Sequence, residues 1–368
     1  MRAGFSVPID RCRIKSIRLL AVLLAGAVLF LPCPVALADR GAVIDRTAQL
    51  LRERYLDAAL GARLADGLLA QKAELGKVAD PQAYAKAVTQ AMQAIQPDLH
   101  LRMSYEPQSE FVPGTAAPRA VAVAGPGGQA RQVMRTGRID GRDAATIART
   151  NFGFDAVQRL DGNVGYLRLS SFVPLDLSRP TAEAAMRFLA NSDAVIIDLR
   201  GNYGGAPETV GFIMSHFFAP DAPPTLLHAS ENRAAGLRSE VKTDPALGNK
   251  SLAAAPVYVL IDRRSASAAE ILAYSGARVG RVKVVGETSA GAGNGGLKYS
   301  VGDGYALFIA EWKVLTGPGW ERVGVKPDVA VEPAAALATA HRLALQALVA
   351  QAELPALREE RERALSRL

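Results

Sequence analysis

Cysteine and histidine are both scarce in this sequence of 368 residues. The two cysteines, Cys12 and Cys33, lie within the first 38 residues, so the rest of the chain has no disulfide, no Cys–metal site and no cysteine nucleophile. Only four histidines occur, and none has the spacing of a His-Glu-x-x-His zinc motif. We therefore predict a protein that needs no metal and no other cofactor.

Phosphate-binding and hydrolase signatures are missing as well. There is no G-x-x-x-x-G-K-[ST] loop, which excludes a P-loop nucleotide site. There is no G-x-S-x-G elbow either, which argues against the α/β-hydrolase scaffold. The glycine-rich stretch at 286–296 lacks the Lys-Ser/Thr pair that would handle a nucleotide phosphate.

The first 38 residues have the three parts of a secretory signal peptide. Five basic residues precede an uncharged apolar run from Leu19 to Leu31, and small residues lead up to Ala38. The run is shorter than the roughly 20 apolar residues of a membrane-spanning helix. We predict cleavage after Ala38 and a periplasmic or secreted protein.

Removal of that segment lowers the net charge from +7 for the whole chain to +3 for residues 39–368. So small an excess gives little reason to expect nucleic-acid binding. No later stretch is long and apolar enough to span a membrane, so no membrane partner is expected after cleavage. The sequence does not indicate an oligomeric state.

Apolar periodicity changes along the chain and divides it into segments. Helical spacing dominates the region before His100, Gly and Pro are frequent up to about residue 149, and short apolar strands then alternate with helices. This alternation predicts an α/β core. The predicted domains are a signal peptide (1–38), an N-terminal helical domain (39–100), a linker or edge segment (101–155), an α/β catalytic core (156–335) and a C-terminal helical tail (336–368).

Residues 265–270 (Ser-Ala-Ser-Ala-Ala-Glu) follow an apolar strand and begin a helix. A serine at a helix N-terminus lies in a positive field that favours an alkoxide, and nearby N–H groups can bind an oxyanion. The same pattern, Ser267 with Glu270 three residues later, is a capping box in which the serine only satisfies the helix start. These six residues alone leave both interpretations open.

Three further stretches carry residues suited to chemistry. Residues 198–205 end the most apolar strand with a glycine-rich turn, in which Gly204 and Gly205 allow close backbone approach. His100 follows a short acidic and apolar turn before a β-like segment, and Glu321 lies in a turn near the end of the core. Each has a plain structural alternative: a tight turn, a buried histidine and a solvated glutamate.

Taken together and in order, these stretches resemble the C-terminal-processing (tail-specific) peptidase family. The closer likeness is to the branch that contains tricorn core protease and interphotoreceptor retinoid-binding protein. The matching stretches cover roughly residues 95 to 332 and are 98–100, 163–169, 198–205, 265–270, 285–288 and 321–328.

The resemblance implies a role for each matching residue. Ser267 falls on the family nucleophile, and the oxyanion hole would be the N–H of Ala268 with one from Gly204 or Gly205. Where one branch carries a lysine base this sequence has Ala292, so the branch with a histidine base applies.

In that branch His100 would be the general base and Glu321 would orient it. The serine that precedes the tricorn histidine is Leu99 here. The resemblance also implies a crotonase-like ββα-spiral core. The 63-residue interval between His100 and Val164 is short for a PDZ domain with linkers, and we predict none.

The predicted function is an exported serine peptidase that cleaves peptides or unfolded protein segments through an acyl-enzyme. One alternative is a non-catalytic periplasmic binder of a hydrophobic ligand, because retinoid-binding relatives use the same scaffold. Another is an esterase or amidase for small acyl compounds, which the same three residues would serve.

Overall fold

The computed structural model describes residues 39–107 and 144–368, together with the backbone of two strands at 119–124 and 130–135. The predicted signal peptide lies outside the described residues, as does most of the interval in which we predict no PDZ domain. Residues 39–368 form one compact unit. No helix in the described ranges has the length and apolar character needed to cross a membrane.

Helices account for the beginning and the end of this unit and alternate with strands between them. They are α1 (Arg40–Arg54), α2 (Ala58–Ala70), α3 (Lys72–Gly76), α4 (Pro81–Ile95), α5 (Ala144–Arg149), α6 (Leu175–Leu189), α7 (Pro207–Ser215), α8 (Lys250–Ala254), α9 (Ala268–Arg278), α10 (Pro333–Gln351) and α11 (Pro355–Leu365).

The strands form two larger sheets and one hairpin. They are β1 (Arg102–Tyr105), β2 (Arg119–Ala124), β3 (Ala130–Arg135), β4 (Phe154–Leu160), β5 (Val164–Leu169), β6 (Ala194–Asp198), β7 (Leu226–Asn232), β8 (Leu237–Lys242), β9 (Val257–Ile261), β10 (Lys283–Gly286), β11 (Gly295–Gly302), β12 (Tyr305–Val314) and β13 (Val329–Ala330).

The N-terminal helices begin where short polar side chains can accept their first N–H groups. Asp39 caps α1 and Asp57 caps α2. Asp80 caps α4 by accepting the Ala83 N–H at 2.7 Å, and Pro81 occupies the first helical position. An Asp-Pro pair of this kind is the sequence pattern of a helix start, and α4 runs from it to Ile95.

A six-stranded sheet in the order β13-β10-β9-β6-β5-β4 forms the centre of the core. All its pairs are parallel except β4 with β5. Strands β6 and β9 are buried along their whole length, as their uninterrupted apolar sequences predict. The mixed α/β architecture is confirmed.

Both faces of this sheet are covered. Val195, Ile197 and Val259 pack with residues of α6, α7 and α9 on one face. Ile196 and Leu260 alternate to the other face and pack with α10 and α11. Residues 336–368, which the sequence sets apart as a helical tail, thus lie on the core, because strands that are apolar on both faces need cover on both.

The second sheet has the order β1-β12-β7-β8, with β11 also paired to β12. Residues 102–105, which the sequence places in a linker or edge segment, pair with residues 305–308 of β12. The helical region and this sheet are therefore continuous, since β1 follows directly after the turn that carries His100.

Helix α6 begins earlier than its sequence suggests. Proline favours the first turn of a helix, which suggests a start at about Pro180, whereas the helix runs from Leu175 with Pro180 in its second turn. The Ser178 hydroxyl donates to the carbonyl groups of Val173 and Pro174 and so ties the helix to the segment before it.

Candidate active site

Three of the matching stretches meet at the carboxyl edge of the six-stranded sheet. The strands β5, β6 and β9 are neighbours and parallel, so the segments that follow them lie side by side. The Asn202 amide donates to the carbonyl of Leu169 at 3.0 Å, and the Ala266 N–H donates to the carbonyl of Asn202 at 2.9 Å. The glycine-rich turn and the serine turn are thereby tied together.

A buried carboxylate anchors the glycine-rich turn at the end of β6. Asp198 is fully buried and accepts hydrogen bonds from the Arg200 guanidinium and the Tyr166 hydroxyl. Burial alone would raise the pKa of Asp198, but the hydrogen bonds and charge of Arg200 hold it below its ordinary value. The turn thus starts from a fixed, ionised anchor.

Gly204 and Gly205 both have positive φ, +100° and +136°. A Cβ added at Gly204 would lie 2.6 Å from the Ser267 Cβ and 2.8 Å from the Ala268 nitrogen. A Cβ added at Gly205 would lie 2.1 Å from the Phe172 carbonyl oxygen. Only glycine fits at either position, and its absent side chain lets the turn pack against the serine.

Ser267 occupies the N-cap position of α9 with φ +54° and ψ −119°. This conformation is sparsely populated by residues other than glycine and costs on the order of 1–3 kcal/mol. The turn before it is fixed by Ser265, whose hydroxyl donates to the Leu199 carbonyl at 2.7 Å and accepts the Asp262 N–H at 2.9 Å. The serine is half-buried, at the opening of the turn.

Two backbone N–H groups beside Ser267 are available to a ligand. Among the described residues, neither the Ala268 N–H nor the Gly205 N–H has a hydrogen-bond partner. The Gly204 N–H, in contrast, donates to the Asn202 side chain at 2.7 Å. Of the two glycines considered from the sequence, Gly205 is thus the one with a free donor.

Glu270 provides its half of the expected capping box, since its Oε2 accepts the Ser267 N–H at 2.8 Å. It also accepts hydrogen bonds from the segment 289–292. Burial raises the pKa of Glu270, and these donors oppose that shift. The sequence indicated the helix cap but not the contacts with a segment some twenty residues away.

Glu321 lies on the other side of the same loop. Its Oε2 accepts the N–H groups of Gly293 and Asn294, both at 2.8 Å. Burial raises its pKa to about 6, and the nearby negative charges of Asp98 and Glu270 contribute to that rise. Glu321 therefore belongs to a cluster of acidic groups that the fold brings together.

His100 lies between α4 and β1 and is 8% exposed. Its ring stacks on Phe308 of β12, with the ring centroids 5.6 Å apart and the planes 26° from parallel. Burial lowers its pKa, the positive charge of Arg102 adds to that shift and Asp98 opposes it. The ring is accordingly neutral at neutral pH.

The carboxylate nearest to His100 is Asp98, which was not singled out as a functional residue from the sequence. Its Oδ1 accepts the His100 backbone N–H at 2.8 Å and lies 3.9 Å from the His100 Nδ1. Its Oδ2 accepts the Tyr55 hydroxyl at 2.9 Å. The spacing of two residues before a histidine was the available signal.

The predicted residues thus fall into two groups. The structure brings Ser267, Ala268 and Gly205 together, and the loop 291–294 connects that group to Glu321. His100 forms no hydrogen bond with Ser267 or Glu321, and its Nδ1 has no hydrogen-bond partner within the described ranges. Its own carboxylate neighbour is Asp98.

Comparisons with known proteins agree with the core of this site. Residues 163–331 match the sequence profile of Peptidase family S41, which spans Ser267 and Glu321 but not His100. The carboxy-terminal processing protease CtpB of Bacillus subtilis is 33% identical over 187 residues, covering 49% of this chain and 36% of that protein. The chloroplastic C-terminal processing peptidase of Tetradesmus obliquus is 30% identical over 176 residues, covering 46% and 35%.

The chain thus matches little more than a third of the length of these relatives. Among solved structures, a lipoprotein from Streptococcus agalactiae aligns with a TM-score of 0.52 and 14% identity, covering 83% of this chain and 96% of that one. At so low an identity the likeness shows the fold alone. The similarity to Peptidase family S41 thus extends over residues 163–331, a little under half of the chain.

Proposed function

We propose that this chain is an exported serine peptidase that cleaves peptides or unfolded protein segments through an acyl-enzyme on Ser267. The observation that carries the proposal is the backbone around Ser267. A strained serine at a helix N-terminus lies beside two unpartnered N–H groups, those of Ala268 and Gly205. This is the arrangement that acyl transfer requires of a nucleophile and an oxyanion hole.

In the proposed reaction the Ser267 Oγ attacks the scissile carbonyl carbon while His100 accepts the hydroxyl proton. The carbonyl oxygen becomes an oxyanion, which accepts hydrogen bonds from the Ala268 and Gly205 N–H groups. His100 then gives the proton to the departing amine, and the acyl group stays on Ser267. A water molecule then attacks this ester while His100 accepts one of its protons, and His100 returns that proton to the Ser267 Oγ as the acyl group leaves as a carboxylic acid.

The burial of His100 suits it to this role, because a neutral ring can accept a proton at neutral pH. Glu321 is proposed to orient the ring and stabilise the imidazolium, and Asp98 places a second negative charge near it. Since His100 forms no hydrogen bond with Ser267 or Glu321 here, the mechanism requires the histidine to come within hydrogen-bonding distance of the serine when substrate binds. Catalytic hydrogen bonds commonly shorten in this way on binding.

Exposed apolar side chains favour a peptide over a small acyl compound as the substrate. Leu99 is 48% exposed, Tyr203 is 71% exposed and Val323 is 65% exposed. Each is within two residues of a proposed site residue: His100, Gly204 or Glu321. A substrate with several apolar side chains offers more surface for contacts with such residues than a small ester does.

The remaining features of the proposal come from the sequence. The protein is proposed to be exported by a signal peptide cleaved after Ala38, so N-terminal sequencing of the exported form should begin at Asp39. The core is proposed to be of the crotonase-like spiral type without a PDZ domain, with the domain divisions given above. We also place the chain in the tricorn-like branch, since Ala292 stands where the other branch has its lysine.

A fluorophosphonate probe tests the nucleophile, because it forms a covalent adduct with an activated serine. Wild type should be labelled, whereas Ser267→Ala should not be labelled at all. His100→Ala should react about 10²- to 10⁴-fold more slowly, the usual contribution of a general base. Ser275→Ala on the same helix and His216→Ala on α7 are matched controls that should label like wild type.

The outcomes separate the alternatives. Equal labelling of wild type and Ser267→Ala would show that another residue is the nucleophile. A wild-type protein that resists the probe would favour a non-catalytic binder. Digestion of a peptide library, compared with hydrolysis of short p-nitrophenyl esters, then distinguishes a peptidase from an esterase.

A further inference from the structure

Glu270 is fully buried beside Ser267, and both of its carboxylate oxygens are occupied. Oε1 accepts the Ser289 hydroxyl at 2.5 Å and the Gly291 N–H at 2.7 Å. Oε2 accepts the Ser267 N–H at 2.8 Å and the Ala292 N–H at 2.9 Å. Four donors therefore converge on a single carboxylate, two on each oxygen.

The loop that Glu270 holds continues to the second acidic residue of the site. The N–H groups of residues 291 and 292 point at Glu270, and those of the next two residues point at Glu321. The Arg322 N–H also donates to the Gly291 carbonyl at 2.8 Å. Four successive peptide groups thus connect the two carboxylates and fix their separation.

We propose that Glu270 is a positioning residue that holds Ser267 in its strained conformation and sets the distance from Ser267 to Glu321 through the loop 289–294. The inference rests on the proposed function and assigns a role beyond it. Glu270 does not touch the substrate. It acts through the main chain of Ser267 and through the loop.

A helix cap alone does not account for this arrangement. Capping α9 requires only the bond between Glu270 and the Ser267 N–H. The other three donors come from residues 289–292, outside the helix, and one of them extends the network further. The Ser289 hydroxyl also accepts the Val325 N–H at 2.6 Å, which ties the segment carrying Glu321 to the same point.

The chemistry of the carboxylate explains why an amide cannot replace it. Glutamine in place of Glu270 offers one acceptor oxygen and one NH₂ group, so two buried donors would face a donor. Leaving buried donors unsatisfied is costly, so the loop and the serine would move apart. A displacement of about 1 Å at a catalytic group typically reduces the rate by about 10²-fold.

The test compares Glu270→Gln with Glu311→Gln. Glu311 is a matched control because it is 1% exposed and accepts hydrogen bonds from the Tyr299 hydroxyl and the Asn232 amide, but lies on β12 in the other sheet. Glu270→Gln should lower kcat and the fluorophosphonate labelling rate by about 100-fold while KM stays near the wild-type value. Glu311→Gln should lower the unfolding temperature but leave kcat unchanged.

Amide hydrogen exchange of residues 289–294 tests whether Glu270 holds this loop, and the result does not depend on catalytic activity. Exchange there should be faster in Glu270→Gln than in wild type or Glu311→Gln. If Glu270→Gln does not fold, Ser289→Ala decides, because it removes one donor and keeps the carboxylate. It should lower kcat by about fivefold without changing KM.

Unchanged kcat in folded Glu270→Gln, or in Ser289→Ala, would overturn the inference, as would an equal loss in Glu311→Gln. Unchanged exchange at 289–294 would overturn it as well. Failure of the wild-type protein to react with the probe is a different result. It would remove the proposed catalytic function, while the exchange measurement would still decide whether Glu270 holds the loop.

Discussion

Ser267 and His100 belong to different sheets, and their surroundings differ in kind. Ser267 follows β9 of the six-stranded sheet, and the backbone on both sides of it is fixed by hydrogen bonds to Asn202 and Glu270. His100 precedes β1 of the five-stranded sheet. Its ring stacks on Phe308 and its backbone N–H donates to Asp98, while its Nδ1 has no hydrogen-bond partner among the described residues.

The two sides of the candidate site therefore differ in how firmly hydrogen bonds hold them. The side of the proposed nucleophile is preorganised, since the strained backbone of Ser267 and the unpartnered N–H groups of Ala268 and Gly205 are in place without substrate. The histidine side has fewer polar contacts, and the neighbouring Leu99 is exposed. These fewer polar contacts are consistent with the proposed role of His100 as a base that approaches Ser267 when substrate binds.

The largest effect is expected from disturbing the preorganised side at Gly204. Gly204→Ala would place a Cβ 2.6 Å from the Ser267 Cβ, so the serine or the turn must shift. We expect kcat to fall by about 10²- to 10³-fold, as when an oxyanion-hole donor is lost. Steady-state kinetics on a peptide substrate provide the measurement.

Gly236→Ala is the matched control for that substitution. Gly236 also has positive φ, +62°, but an added Cβ there would meet nothing within 4 Å. Gly236→Ala should lower the stability of the protein through backbone strain and leave kcat unchanged. A Gly204→Ala enzyme as active as Gly236→Ala would mean that the turn does not constrain the serine.

A smaller effect is expected on the histidine side, from Asp98→Asn. The amide oxygen can still accept the His100 N–H, but the negative charge nearest the ring is lost. We expect kcat to fall by about tenfold because the imidazolium that forms during acylation is less stabilised. Comparison of kcat and KM with those of the wild type measures this effect.

Asp80→Asn is the control for Asp98→Asn, because asparagine caps a helix as well as aspartate does and α4 should be unaffected. It should leave kcat unchanged. If Asp98→Asn also leaves kcat unchanged, the charge of Asp98 does not stabilise the imidazolium.

The sequence predicts those parts of the molecule that local patterns determine, and it does not predict those that depend on long-range contacts. The apolar strands β6 and β9 and the helix from Pro81 to Ile95 follow from local patterns, and those patterns predict them correctly. The second sheet pairs residues some 200 positions apart, as in β1 with β12, and no local pattern specifies such a pairing. The cover that α10 provides for the central sheet is likewise a long-range contact.

For the site, sequence spacing was most informative where the chemistry is local. The serine turn and the glycine-rich turn each lie within a few residues, and the structure places them together. Asp98 and Glu270 were visible as a neighbour of His100 and as a helix cap, yet their wider contacts depend on folding. Which glycine keeps a free N–H also depends on folding, since the Asn202 side chain occupies that of Gly204.

The acidic cluster predicts a modest change of stability with pH. The pKa of Glu321 rises from 4.5 to about 6 on folding, so the folded state holds its proton more tightly than the unfolded state does. This contribution to stability is present below pH 4.5 and is lost as the pH rises through 6. Glu321→Gln cannot titrate, so its stability relative to wild type should increase by about 1 kcal/mol between pH 4.5 and 6.5, allowing for partial solvent screening.

Urea unfolding of wild type and Glu321→Gln at pH 4.5 and 6.5 measures this difference in the free energy of unfolding. His100 and the other acids titrate in both proteins, so their contributions cancel when Glu321→Gln is compared with wild type. This matters for His100, because its lowered pKa makes stability rise with pH, opposite to the effect of Glu321. A difference that does not depend on pH would mean that Glu321 titrates as it does in the unfolded chain. The burial of Glu321 and its repulsion from Asp98 would then be fully offset by the hydrogen bonds that its carboxylate accepts from the Gly293 and Asn294 N–H groups.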